Sequence, residues 1–310
     1  MGLPASNVSS CPVCAADGSR KGIIHGEACY VCAKCGLWFY DEHVRNRPPT
    51  DAEWYSNAER TTPDYLNKCL HTMKPVFNRQ IDTLETLTDQ RSLLDIGCGL
   101  GLFLAAAASR NWHVFGVEKN SRAPRIASDA FGLKLNTDIN QVPLNSVGVV
   151  RFSHVLEHVA DPVAFLSAGA MRLSAGGVAI AIVPNVRPLS YSLVNSARRF
   201  IGNSGRVIAP LSPGHHILGF TRSSLSELFE KAGMDLIRVF DVSMGNRAFY
   251  PMFYDGLMTQ QKFSDFDLRT LLRYWLPIWF DNIGNPIGRG QWIVGLFRKP
   301  SDTVQLSPRY

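Results

Sequence analysis

Ser92-Leu93-Leu94-Asp95-Ile96-Gly97-Cys98-Gly99-Leu100-Gly101 decides how this chain folds. An apolar run closes on an acid and then turns on three glycines spaced G-x-G-x-G. Leu102, Phe103, Leu104 and four alanines follow. That order reads as strand, tight turn and helix. Glycine admits positive φ and lets a ligand approach bare backbone. The N–H groups at the helix start can then face a polar or anionic ligand. A dinucleotide-binding turn spaces its glycines G-x-G-x-x-G to seat a pyrophosphate. Here the third glycine comes one residue early, which disfavours a nicotinamide-dependent oxidoreductase.

From Arg91 onward apolar runs alternate with helix-like stretches. The pattern predicts strands at Ser92–Ile96, His113–Glu118, Leu133–Asn136, Val147–Ser153, Val178–Val183, Asp235–Val242 and Trp292–Phe297. It predicts helices at Leu102–Arg110, Ala123–Phe131, Pro162–Leu173 and Ser223–Ala232. Thr221 or Ser223 caps the last helix and Gly233 ends it. Such alternation implies an α/β domain over 91–300, a seven-stranded and mostly parallel sheet with helices on both faces. Two insertions interrupt it. Residues 187–213 carry a helix at Leu189–Ile201. Residues 244–291 hold Phe249, Tyr250, Phe253, Tyr254, Tyr274, Trp275, Trp279 and Phe280. That aromatic density fits the core of an inserted subdomain, a substrate pocket, a dimer contact or a peripheral membrane contact. Residues 48–90 read as a helical linker, with helices around Pro63–Cys69 and Val76–Leu87, and 301–310 as a tail.

Several residues sit where chemistry is expected. Glu118 ends the second strand about twenty residues past the turn, where an acid can accept hydrogen bonds from both ribose hydroxyls. Lys119 follows it. Asp138 and Ile139 follow the third strand, and Asp138 has the alternative task of capping the turn. The fourth strand ends in Ser153-His154-Val155-Leu156-Glu157-His158-Val159, then Asp161-Pro162. Further on comes Gly214-His215-His216-Ile217-Leu218-Gly219-Phe220-Thr221. A neutral imidazole such as His216 can take a proton from a hydroxyl or amine; fixing the loop is its other reading.

Seven cysteines are present, and four form two C-x-x-C knuckles, Cys11/Cys14 and Cys32/Cys35. Two knuckles supply four thiolates for tetrahedral zinc with no open position, so the metal would be structural. Cys29 offers another register, but Gly36 after Cys35 suits the knuckle turn, leaving Cys29 as a buried apolar residue. Residues 1–47 therefore read as a zinc ribbon bounded by Pro48-Pro49. No window approaches ~18 uninterrupted apolar residues, so no transmembrane helix is expected. The N-terminus lacks the basic flank and apolar core of a signal peptide, which makes a cytoplasmic location the expectation. Net charge is +6 with pI near 9.0. Its basic residues are scattered, apart from small groups such as Arg198-Arg199. That balance admits nucleic acid and fits a phosphate-bearing small substrate equally well. Oligomeric state is not written in the sequence.

The Asp95–Gly101 turn resembles motif I, E/D-x-G-x-G-x-G, of the class I S-adenosylmethionine-dependent methyltransferases. The His154–Pro162 run resembles the x-H-V-L-E-H-V-x-D-P signature of a large subgroup, including ubiquinone-type O-methyltransferases and many natural-product and sugar methyltransferases. His216 to Thr221 is similar to that subgroup's H-x-x-x-F-[ST] segment, and Leu225–Met234 to its L-x-x-L-x-x-x-A-G-[FM] helix. Over residues 91–300 the resemblance implies a Rossmann-like fold that binds S-adenosylmethionine. It implies cofactor contacts at Asp95, Gly97, Cys98, Gly99 and Gly101, at Glu118 and Lys119, at Asp138 and Ile139 for the adenine, and at Ser153 and His154. It also places the 48–90 helices over the cofactor cleft. The reaction implied is methyl transfer to O, N or C of a small molecule, with His216 and His154 near the acceptor. One departure is Val147-Gly148, where the subgroup carries Phe-Asp. The ribbon with Gly36-Leu37-Trp38-Phe39-Tyr40 resembles the opening of zinc-bearing methyltransferases from bacterial polysaccharide and deoxysugar pathways. A saccharide or nucleotide sugar is accordingly the expected acceptor. The sugar C-methyltransferases among them carry a further C-terminal domain for which this length leaves no room. That counts against C-methylation of a keto sugar and leaves O- or N-methylation of a saccharide or other small molecule open. The rivals are an RNA methyltransferase whose ribbon holds nucleic acid, and a cofactor-binding module that transfers nothing.

Overall fold

The structure is a computed structural model that describes residues 7–47, 59–200, 209–243 and 276–301. Strands β1 (Val8–Ser10), β2 (Asp17–Ile24), β3 (Glu27–Cys32) and β4 (Trp38–Tyr40) come first, then the short helix α1 (Glu42–Arg45). A long helix α2 (Pro63–Glu85) leads into β5 (Ser92–Ile96), α3 (Leu102–Ala108), β6 (His113–Val117), α4 (Ala123–Phe131) and β7 (Leu135–Asn136). Then follow β8 (Val147–Ser153), α5 (Pro162–Ala170), β9 (Leu173–Pro184), α6 (Leu189–Phe200), β10 (Leu218–Gly219) and α7 (Arg222–Lys231). The last elements are β11 (Asp235–Val242), α8 (Leu276–Gly284) and β12 (Trp292–Arg298).

β9 shows how the larger sheet is made. Val178, Ala179, Ile180, Ala181, Ile182 and Val183 are all fully buried, and successive residues enter opposite cores. A strand apolar on both faces is one covered by helices on each side. Seven strands lie in the order β11-β12-β9-β8-β5-β6-β7. β7, β6, β5, β8 and β9 are parallel, and β12 runs antiparallel between β9 and β11. This is the expected seven-stranded Rossmann-like sheet. From β5 the chain builds β6 and β7 on one side, then crosses to β8 on the other. The topological switch therefore falls between β5 and β8, and ligands of open α/β sheets bind outside the carboxyl ends there.

The N-terminal strands form a second sheet, ordered β1-β2-β3-β4-β10. Its last strand does not belong to the ribbon. β10 pairs antiparallel with β4, Leu218 opposite Phe39 and Gly219 opposite Trp38. On its other side Phe220 bridges Asn185 beyond β9, and the Val186 N–H donates to the Phe220 carbonyl at 2.9 Å. Tyr30, Leu37 and Phe39 of the ribbon share one core with Phe152, Phe220, Phe229 and Phe297. Read from sequence, the ribbon is an appendage; in the fold it is wedged against the sheet.

Two helices expected between 63 and 87 are one. Pro75 reads as a breaker, yet it lies on the exposed side of α2, where water can replace the hydrogen bond it removes. The buried face, Met73, Phe77, Gln80, Ile81 and Leu84, passes through it unbroken and packs on α3 and α4. Gly148 also has a steric reason: a Cβ there would collide with Gln90. The acid usual near that position in the related subgroup has no such room at 148. The aromatic residues from 249 to 275 lie outside the described residues. Trp279 on α8 is 58% exposed, and α8 packs on α6. No described helix is long and apolar enough to cross a membrane.

Candidate functional site

Strand register puts the expected residues on one edge. β5 ends at Ile96 beside Val117 of β6 and Phe152 of β8. Gly97, Glu118 and His154 thus leave the carboxyl ends of neighbouring strands. The N–H groups of Gly97 and Cys98 both donate to the Val117 carbonyl, at 2.8 and 3.2 Å. Gly99 and Gly101 adopt left-handed φ of 56° and 81°, and Gly101 caps α3 without a side chain. A side chain at Gly99 would be strained at that φ. Glu118 binds the turn directly: Gly99 N–H donates to Oε2 and Asn120 N–H to Oε1, each at 3.0 Å. Both oxygens keep further lone pairs. Lys119 beside it is exposed. Cys98 is half-buried, and burial pushes its thiol up. Asp138 is exposed and caps its own turn, accepting from the Asn140 N–H at 2.9 Å; Ile139 is half-buried next to it.

Asp95 is different. It is 1% exposed, and its two oxygens accept from Arg151 Nη1 at 3.0 Å each. Burial raises its carboxyl against the pull of Arg151. The Arg151 guanidinium lies over the Phe103 ring at 4.0 Å and reaches Gln80 of α2. Asp95 thus ties β5, β8, α2 and α3 together from beneath the turn. Arg151 and Gln80 were missed from sequence. The signal for Arg151 is an arginine inside the otherwise apolar run Val147–Phe152; Gln80 carries none beyond being polar on an apolar helix face.

On the β8 side, His154 holds a φ of 53°, unusual for a non-glycine residue, and its N–H donates to the Ile182 carbonyl at 2.9 Å. Such strain concentrates at functional sites. Ser153 before it is half-buried at the strand end. Val155 meets the glycine turn: a Cβ on Gly97 would lie 2.9 Å from Val155 Cγ2. Glu157 is buried at 1% exposure. Burial acts to raise its carboxyl, but the imidazoles of His154, His158 and His216 outweigh it and hold it below the usual range. His154 Nδ1 lies 3.4 Å from Glu157 Oε1. The Glu157 carbonyl accepts from the Ile217 N–H at 2.8 Å, so the His215–His216 run is fastened beside β8. Burial, with His158 and His215 nearby, pushes His216 down to about 4 despite the Glu157 charge. His216 is therefore a neutral ring at ordinary pH and a weak base.

The sequence-predicted cysteines do meet. One sulfur each from Cys11, Cys14, Cys32 and Cys35 lie within 4.8 Å of one another, with Cys11–Cys35 at 3.7 Å and Cys14–Cys32 at 3.4 Å. A tetrahedral ion with metal–sulfur bonds of about 2.3 Å spaces sulfurs about 3.8 Å apart, so the set fits a zinc-type ion. Gly36 and Ala15 take the left-handed position after each knuckle, at φ of 74° and 59°. Cys29 stays outside the cluster, fully buried, and burial pushes its thiol up to about 12. The cluster adjoins the site. Thr221 Oγ1 and Ser223 Oγ donate to the Cys35 carbonyl at 3.3 and 2.9 Å, just after His216 and β10.

A family model described as a methyltransferase domain matches residues 69–239, more than half of the chain. A ubiquinone biosynthesis O-methyltransferase from Ruegeria sp. (strain TM1040) is 29% identical over 202 residues, 59% of this chain and 78% of that protein. Another from Ruegeria pomeroyi is 32% identical over 156 residues, 46% and 62% of the two chains. Among solved structures, a SAM-dependent methyltransferase from Archaeoglobus fulgidus covers 72% of this chain and 93% of its own, at 16% identity and a TM-score of 0.46.

Proposed function

We propose that this chain, which belongs to the methyltransferase-domain family and is an S-adenosylmethionine-dependent methyltransferase, methylates an oxygen of a saccharide-type small molecule such as a nucleotide sugar. The observation that carries this reading is the junction at one sheet edge. The glycine turn bound to Glu118 abuts, through Gly97 and Val155, the loop that bears His154 and receives His216. When bound, S-adenosylmethionine supplies a methyl group on a positively charged sulfur. The chain's own task is to align that methyl with the acceptor and exclude water. Gly99 and Gly101 keep the turn bare for the cofactor's amino-acid end. Glu118, already oriented by Gly99 and Asn120, takes the ribose hydroxyls with its remaining lone pairs. Asp138 and Ile139 receive the adenine. Asp95 acts through Arg151 to hold the turn rather than by touching the cofactor. His154 and His216 face the acceptor, and Cys11, Cys14, Cys32 and Cys35 hold a structural zinc.

An oxygen acceptor is supported by the relatives, which are named as O-methyltransferases. An anionic saccharide is supported by Arg187, which lies just beyond the carboxyl end of β9 with its guanidinium 5.9 Å from the Trp38 ring. A cytoplasmic location goes with this reading. A small acceptor is supported over RNA because the β4 edge of the ribbon is already closed by β10. The test is transfer of labelled methyl to nucleotide sugars, phenols and RNA. Label on a sugar oxygen is expected. Methylated RNA, bound with an affinity that falls steeply with salt, would replace this reading.

A further inference from the structure

His158, His215 and His216 come from two separate segments, the turn after β8 and the run before β10. One ring nitrogen of each lies within 4.8 Å of the others. Their ring centroids are 4.7, 4.9 and 4.4 Å apart. Two of the rings are oriented by backbone: His158 Nδ1 donates to the His215 carbonyl at 2.9 Å, and His216 Nδ1 to the Pro210 carbonyl at 3.2 Å. A ring that carries its proton on Nδ1 presents its lone pair at Nε2. Carbonyl anchoring of the other nitrogen is how proteins orient metal-binding histidines. Glu157 supplies an independent sign. Its carboxylate is buried, with Oε1 3.4 Å from His154 Nδ1 and 4.0 Å from His158 Nε2, and neither oxygen makes a hydrogen bond of normal geometry among the described residues. A carboxylate removed from water requires a nearby cation, and an ion held by the three imidazoles would supply one.

We propose that His158, His215 and His216 bind a divalent transition-metal ion, with the buried Glu157 carboxylate as its counter-charge. Three imidazoles and a carboxylate suit zinc or a neighbouring first-row ion, not magnesium or calcium, which prefer oxygen ligands. Three protein ligands leave a fourth position open. That position lies on the edge assigned above to the acceptor, so it takes an acceptor oxygen. This last step rests on the acceptor-edge reading; the metal site itself does not. The site is separate from the four-cysteine cluster, and β10 and its pairing with β4 run between them.

The experiment uses untagged full-length protein, stripped of metal, reloaded with Co2+ and freed of excess ion. Metal content and visible spectrum are measured for wild type, for H215A/H216A and for C32S/C35S. Wild type should hold two ions. H215A/H216A should hold one and keep the thiolate-to-cobalt absorption of the ribbon, which shows that the variant is folded. C32S/C35S should lose that absorption and keep the other ion. Equal metal content in wild type and H215A/H216A overturns the site. S-adenosylhomocysteine binding is measured on the same samples. Its absence from wild type would count against the methyltransferase site and leave the metal count standing.

Discussion

On the cofactor side of the sheet edge, each residue of interest follows its own strand by one or two positions: Gly97 after β5, Glu118 after β6, Asp138 after β7. On the side proposed above for the acceptor, the group is gathered from distant segments. His154, Glu157 and His158 follow β8, His215 and His216 precede β10, and the ribbon's β4 and Cys35 hold the latter run in place. The first side is a local construction, repeated by strand, turn and helix. The second depends on a strand pairing across more than 170 residues of sequence, Phe39 with Leu218. The lesson is that the N-terminal sheet fixes the run that carries His215 and His216, although its cysteine knuckles lie in a separate stretch of sequence.

The comparison can be broken at several points. The largest effect is expected at Gly99→Arg, where a bulky residue is forced to a φ of 56°. Calorimetric titration with S-adenosylhomocysteine should detect no binding while circular dichroism stays native. Glu118→Ala should bind about ten- to a hundredfold more weakly, the worth of a charge-assisted hydrogen bond. Retained affinity in both variants would sink the cofactor assignment. Next comes Arg151→Ala, which strands the buried Asp95 carboxylate. Removing one partner of such a pair costs about 3–5 kcal/mol, readable as a lower urea midpoint. The double variant Asp95→Leu/Arg151→Met should recover much of it.

Cys32→Ser separates the two sides. Loss of a ribbon ligand should leave cofactor affinity unchanged but lower methyl transfer by up to about a hundredfold, the scale of a misplacement of about 1 Å at the reacting centre. Equal loss of both would mean that the ribbon supports the whole domain rather than one side. The smallest effect belongs to Ala15→Gly. A non-glycine residue in the left-handed region costs about 1–2 kcal/mol, partly offset by the greater freedom of glycine when unfolded. The ribbon should gain a few tenths of a kcal/mol to about 1 kcal/mol, seen as slower metal release to a chelator.

Much of the sheet was legible. Every expected strand exists, with Ser92–Ile96, Val147–Ser153 and Asp235–Val242 at the same bounds. Their alternating apolar runs have no other way to be buried. The continuity of α2 through Pro75 was not legible, because a proline's effect depends on which face meets water. Nor was the pairing of Asp95, whose partner Arg151 lies 56 residues away.

The sequence alone determined what is set by near neighbours: strand and helix period, the left-handed turn that glycine permits at Gly99 and Gly101, and two cysteine knuckles whose spacing already shapes half a metal site. Tertiary structure decided what needs partners from far along the chain. It chose β10 to complete the ribbon sheet, brought His158 to His215 and His216, and buried Glu157 among them. Local patterns carry local geometry because they act over a few bonds. A charge, an imidazole or a strand edge acquires its role only from what the folded chain packs against it, and no short stretch of this sequence encodes that neighbour.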